Sequence, residues 1–133
     1  MARIKHIAIR TNDPVRTAAF YQEVFDLKQV GLGRNGIYLS DGHINLAILK
    51  CPPGSEADVG IEHLGFQVED VDAAIAKLKQ HGGKSLTERV NVTPTDANNP
   101  QSYYEIKCFG PDSQILDISG TGWVGTDQRR SKR

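Results

Sequence analysis

Lys5-His6-Ile7-Ala8-Ile9-Arg10-Thr11-Asn12-Asp13 and Glu62-His63-Leu64-Gly65-Phe66-Gln67-Val68-Glu69-Asp70 are one pattern written twice, 57 residues apart. Each copy alternates apolar and polar residues at a strand's period of two, carries one histidine, and ends in an aspartate suited to cap a helix. His6 matches His63, Ile7 matches Leu64, Ala8 matches Gly65 and Asp13 matches Asp70. Two such strands side by side would bring two imidazoles into one space, which is the start of a metal site. The repeat decides the fold, and the rest of the chain is tested against it.

Working outward from the first copy, residues 3–11 put Ile7 and Ile9 on one face and Ile4, His6, Ala8 and Arg10 on the other. Asp13-Pro14 opens a helix, since Asp accepts a backbone N–H and proline fits the first turn. An apolar stripe then runs to Phe25, and Gly31, Gly33 and Gly36 punctuate the exit. Residues 37–40 and 43–49 read as strands joined at Asp41-Gly42, with Ile44, Leu46 and Ile48 on the core face and His43, Asn45 and Ala47 opposite. Residues 52–58 form a polar linker.

The second copy repeats the plan. Ile61, His63 and Gly65 share one strand face, and Asp70 caps a helix with Val71, Ala74, Ile75 and Leu78 at helical spacing. His81-Gly82-Gly83 ends that helix. Residues 84–92, 103–109 and 114–119 are expected strands, and residues 93–100 form a loop that is a candidate lid. The expected fold is α+β: two tandem βαβββ modules, about 3–50 and 60–120, forming a cup-shaped mixed sheet with helices on the outer face. Two copies are too few for a solenoid. One domain over residues 1–126 is expected, followed by a basic, disordered tail at 127–133.

Composition fits a soluble globular chain: 133 residues, 38% hydrophobic and 24% charged. No apolar run is long enough to cross a membrane, and the N-terminus enters a strand pattern without a signal-peptide core. Cys51 and Cys108 lack metal-type spacing, and reduced thiols in a cytoplasm are the expectation. Arg129, Arg130, Lys132 and Arg133 leave the remainder of this neutral chain slightly acidic, which gives no footprint for nucleic acid.

His6, His63 and Asp117 each fall mid-strand on the face away from the helices. A carboxylate between Leu116 and Ile118 needs something to compensate its desolvation, and a divalent cation would. A solvent-facing position on an edge strand is the alternative for Asp117. Two histidines and one carboxylate with open positions form the facial arrangement used by iron, manganese, nickel or zinc centres. Arg10, on the face of His6, is a candidate clamp for a substrate anion or else a rim residue. Tyr38, Asn45, Tyr104 and Lys107 are candidate pocket-lining residues. His43 and His81 are assigned structural roles, and Trp123 is expected to plug a hydrophobic edge or a subunit contact.

At these residues the chain resembles the vicinal oxygen chelate superfamily: lactoylglutathione lyases, methylmalonyl-CoA epimerases, type I extradiol dioxygenases, fosfomycin-modifying enzymes and bleomycin-binding proteins. The matching pieces are His6-Ile7-Ala8-Ile9-Arg10 with Asp13 and Phe20-Tyr21, then Glu62-His63-Leu64-Gly65-Phe66 with Asp70, and Gly110 to Asp117. The resemblance implies that His6, His63 and Asp117 hold a divalent metal (Ni, Zn, Co, Mn or Fe), that Arg10 grips a substrate carboxylate, and that the chain forms a homodimer. Two departures stand out. Asp117 replaces the family's usual Glu, and the first module offers only Asn45, or Ala47 in the other alignment, where lyases and epimerases supply a fourth ligand.

The leading expectation is a metal-dependent, glyoxalase-type lyase or isomerase. It would chelate two neighbouring oxygens of a small anionic substrate and move a proton through an enediolate, with Asp117 or a metal-bound water as base. The alternatives are an extradiol-type dioxygenase, for which three ligands suffice, and a metal-free protein that binds a small molecule in the manner of bleomycin-resistance proteins.

Overall fold

The computed structural model describes residues 1–33, 35–86, 90–92 and 103–126. The expected loop at 93–100 and basic tail at 127–133 lie outside the described residues.

Asp13 and Asp70 start equivalent helices. The Asp13 carboxylate accepts the Arg16 N–H at 3.1 Å to open α1 (Pro14–Phe25), and Asp70 accepts the Ala73 N–H at 3.0 Å to open α2 (Val71–Gln80). Each aspartate closes off the strand before it, β1 (Arg3–Thr11) or β5 (Gly60–Gln67), so strand and helix boundaries are set by the same residue. The first module continues with β2 (Lys28–Leu32), β3 (Gly36–Ser40) and β4 (Asn45–Lys50). The second continues with β6 (Lys84–Ser85), β7 (Val90–Val92), β8 (Tyr103–Phe109) and β9 (Ile115–Ser119).

Residues 28–32 form the third strand that the βαβββ plan of the first module requires, although glycine and a register shift against β3 between Gln29 and Gly31 spoil its alternation. One expectation needs correction. The single strand expected at 84–92 is two short ones, β6 and β7, that pair with different ends of β8. Among the described residues, no helix is long and apolar enough to cross a membrane.

The strands form a curved, open sheet in the order β2-β3-β4-β1-β5-β9-β8-β6, with β7 also on β8. Antiparallel β1 and β5 meet at the centre, while β1 pairs β4 and β5 pairs β9 in parallel. In the central ladder Ile7 faces Leu64, and these two residues are equivalents under the repeat. The approximate two-fold axis therefore passes through that pair and exchanges His6 with His63. Helices cover one face only. Ala18 and Tyr21 of α1 pack on Leu39, Leu46 and Ile48, and Val71, Ala74, Ile75 and Leu78 of α2 pack on Val68, Cys108 and Ile118. Alternation then sends the intervening residues of β1, β4, β5 and β9 to the other, helix-free face.

Candidate metal centre

Two bulges aim the side chains around the site. The β1–β5 ladder pairs Ile4 with Phe66 but His6 with Gly65, and Ala8 with His63 but Ile9 with Ile61. Lys5 and Glu62 are thus extra residues, each just before its module's histidine and each the repeat equivalent of the other. A bulge breaks strict alternation and re-aims a side chain. Lys5 is buried while Ile4 is half exposed, so Ile4 does not follow the face expected from simple alternation.

His6 and His63 lie diagonally across the central ladder with their Nε2 atoms 3.1 Å apart. Asp117, opposite Gly65 on β9, brings Oδ2 to 2.9 Å from His63 Nε2 and 3.6 Å from His6 Nε2. All three side chains are buried, Asp117 completely.

The outer nitrogens decide what those inner atoms present. Asn45 donates its amide N–H to the Val124 carbonyl at 2.9 Å, which turns its Oδ1 toward His6 Nδ1 at 2.8 Å. His6 therefore carries its proton on Nδ1. His63 Nδ1 faces the Glu62 carboxylate and likewise donates to it. In the neutral rings both Nε2 atoms then present lone pairs to each other and to a carboxylate oxygen. Asp117 Oδ2 accepts no well-aligned hydrogen bond despite its burial.

With both imidazoles neutral, three electron-pair donors converge on one point, and such a set fits a cation. Ligand bonds of about 2.1 Å place neighbouring donors roughly 3.0 Å apart at right angles, or about 3.4 Å at tetrahedral angles. The separations here straddle both values. Among the described residues, this is the group of histidine, cysteine and carboxylate side chains close enough to share an ion.

Protonation follows the same geometry. Burial, with the neighbouring His63, lowers the His6 pKa to about 4. Burial also pulls on His63, but the adjacent Asp117 carboxylate outweighs it and leaves that imidazole above its ordinary value. Burial works against the charged form of Asp117 too, yet His63 and Lys107 hold its pKa below the usual carboxylate value.

Around the triad, Lys107 Nζ sits 2.7 Å from Asp117 Oδ1 and 3.1 Å from Glu105 Oε2. The Trp123 indole N–H donates to Glu105 Oε1 at 2.9 Å, and the indole stacks on His6 with ring centres 4.7 Å apart. Trp123 therefore belongs to the site rather than to an edge plug. Gly65 makes room for it: a Cβ there would meet His6 Cβ and the indole at 2.7 Å. Burial, and then the charge of Glu105, raise the Tyr38 phenol, which stands on β3 opposite Ala47.

The structure brings His6, His63, Asp117, Asn45 and Lys107 together. Asn45 is engaged with His6 and the chain at Val124, so it orients a ligand instead of being one. Ala47 faces Ala8 as Asp117 faces Gly65, which makes Ala47 the repeat counterpart of Asp117, with no donor. Arg10 is paired with Glu62 through Nε and Nη2. Tyr104 shares strand parity with Ile106 and Cys108 and lines a cavity of about 20 Å³ with Val71, Ile118 and Thr121, away from the triad. Glu105 was missed, although period-two spacing places it beside Lys107, an expected pocket residue.

Comparison with known proteins agrees with this architecture. A sequence model of the glyoxalase/bleomycin resistance protein/dioxygenase superfamily matches residues 3–112. The uncharacterized protein YaeR of Escherichia coli is 32% identical over 107 residues, 68% of this chain and 80% of that protein. The mitochondrial methylmalonyl-CoA epimerase of Homo sapiens is 25% identical over 108 residues, 69% of this chain and 61% of that enzyme. Among solved structures, the Mn(II)-bound glyoxalase from Novosphingobium aromaticivorans superposes with a TM-score of 0.70 at 19% identity, covering 99% of this chain and 44% of that one.

Proposed function

The chain belongs to the glyoxalase/bleomycin resistance protein/dioxygenase superfamily, and from that premise we propose that it is a divalent-metal enzyme of the lyase or isomerase type. Its substrate would be a small molecule with two neighbouring oxygens. The observation that carries the reading is the convergence of His6 Nε2, His63 Nε2 and the unsatisfied Asp117 Oδ2 on one point. These three would hold the ion. When bound, a divalent ion there supplies a Lewis acid for the charge that grows on substrate oxygens as a proton leaves.

The chain's own residues divide the remaining work. Asp117 is a poor base, because its pKa is held below the usual carboxylate value by His63 and Lys107 and its Oδ2 would be spent on the ion. The proton-carrying role passes to Glu105, a buried carboxyl whose pKa is raised by burial and by the charge of Asp117. Trp123 and Lys107 fix both of its oxygens. Lys107 and Tyr38 border the substrate space, and Trp123 screens His6 from water. A homodimer belongs to the same proposal.

Metal analysis of the purified protein tests this directly. Near-stoichiometric nickel, zinc, cobalt or manganese, absent from His6→Ala and Asp117→Ala, is the expected result. No ion in the native protein, and none retained after reconstitution with each candidate, overturns it. With metal in place, Glu105→Gln should keep the ion and lose roughly a hundredfold or more in turnover.

One observation favours a second reading. Ala47 leaves the centre with three protein ligands, as an iron(II) dioxygenase requires. Iron in the native protein, with oxygen consumed in the presence of a catechol, would put that chemistry first.

A further inference from the structure

The repeat treats its two histidines unequally, and the inequality assigns a role to Arg10. Bulging brings Glu62 alongside His63, where Oε1 takes the imidazole Nδ1–H and Oε2 takes the Arg10 Nε and Nη2 donors. The guanidinium edge that could grip a substrate carboxylate in two-pronged fashion is therefore turned onto Glu62. The pair is partly buried, with side chains 25% and 19% exposed, so water screens it less than a surface salt bridge. In the first module the equivalent bulge holds Lys5, a cation that cannot accept an imidazole N–H, and neutral Asn45 serves His6 instead.

Resting on the metal-centre reading above, we propose that Arg10 is a positioning residue: it holds Glu62, Glu62 holds His63, and this chain sets how tightly the centre takes a divalent ion. A carboxylate on the outer nitrogen fixes the ring and makes the inner nitrogen a stronger donor. Glu62 can swing about its own side chain, and Arg10 is what stops it. The contact lies at the wall of an open groove of about 390 Å³ lined by Pro52, Ser55, Asp58 and Ile61. Glu62 and Asp58 both bring negative charge to that groove, which suits an internal ion pair better than the capture of a substrate anion.

The test uses the full chain, stripped of metal and titrated with zinc(II) against a competing chelator. Trp123 is the chain's single tryptophan and stacks on His6, so its fluorescence reports occupancy without any substrate. Glu62→Gln and Arg10→Ala should each weaken zinc binding by about 10- to 100-fold, with Arg10→Lys between them and native. The double variant should bind no more weakly than Glu62→Gln alone, because both changes break one chain of contacts. Circular dichroism and the melting point of the metal-free proteins should stay near native. Arg10→Ala binding within twofold of native, or effects that add in the double variant, would overturn the proposal. If Arg10→Ala does not fold, Arg10→Lys and Arg10→Gln carry the same comparison. Native protein that takes no zinc removes the metal-centre reading itself, whereas native binding with indifferent variants removes only the role of Arg10.

Discussion

The two modules share one backbone plan and fill it with different chemistry. Where the second has Glu62, Gly65 and Asp117, the first has Lys5, Ala8 and Ala47. Of the side chains that meet at the centre, the histidines are the ones kept on both sides of the axis. The second module thus supplies the carboxylate of the triad, the anionic partner of its histidine and the space for Trp123, while the first supplies a neutral partner for its own histidine. A duplicated fold supplies symmetric positions, and the asymmetric substitutions place a carboxylate beside one histidine and an alanine at the equivalent place beside the other.

The largest test of that comparison removes ligands from either side. His6→Ala and His63→Ala should each weaken divalent-metal binding by about a thousandfold or more, as should Asp117→Ala. Ala47→Gly, which touches the position equivalent to Asp117, should change it little. Equilibrium dialysis with metal analysis reads all four. Equal sensitivity at 47 and 117 would mean that the site is not built from the second module's carboxylate.

Acid should separate the two imidazoles next. In metal-free protein His6 titrates near 4 in the fold against 6.5 when free, so the unfolded chain binds a proton that the folded one does not. Stability should therefore fall as pH drops from 6.5 to 4, by at most about 3 kcal/mol. His63, raised in the fold, contributes stability below 6.5 that is lost only as pH rises through its folded value. Glu105, also raised, works against the His6 effect in the acid window. Chemical denaturation of native protein and His6→Gln across pH isolates the imidazole, since the acid loss should be smaller in the variant. Parallel curves would contradict a buried, neutral His6.

Much of this architecture was legible in the residues themselves. The 57-residue offset with its capping aspartates predicts both helices, the central strand pair and the meeting of His6 with His63, and alternation around Leu116 and Ile118 turns Asp117 to the same side. The bulges at Lys5 and Glu62 were not legible, because they exist only in the register between β1 and β5, and pairing is a long-range property. Trp123 was misjudged for a similar reason. It follows the last strand in a glycine-rich stretch with no period, so nothing local says that the chain folds back over Gly65. The facing of Tyr104, by contrast, could have been found from the apolar pair Ile106 and Cys108, which fixes the parity of β8.

Gly65 offers a smaller effect. Gly65→Ala would drive a methyl into His6 and the Trp123 ring, at a cost of about 1–3 kcal/mol in thermal or urea unfolding. Its equivalent, Ala8, already carries that methyl in the first module, where no indole covers it. If Gly65→Ala were neutral, the stacking of Trp123 on His6 would not constrain the site. If it destabilised the chain in a Trp123→Leu background as much as in the native one, His6 alone would be the obstacle.

Ala47→Glu attempts to restore the symmetry that the chain has lost. The position is buried beside Ala8 and Tyr38, so a longer side chain must displace neighbours, and the metal-free protein should melt lower. An unpaired carboxylate there would also bear a desolvation cost, and its pKa should rise. An ion at the histidines reverses both penalties by accepting the new oxygen as a fourth ligand. Metal affinity should therefore increase, by about tenfold, even as metal-free stability falls. The sign of that pair of changes is the informative part. Lower stability with no gain in affinity would mean that position 47 does not face the ion, and the register equivalence with Asp117 would then have no chemical meaning. A gain in affinity with loss of turnover would mean that the open side of the centre is where substrate binds, and that alanine at 47 keeps it open.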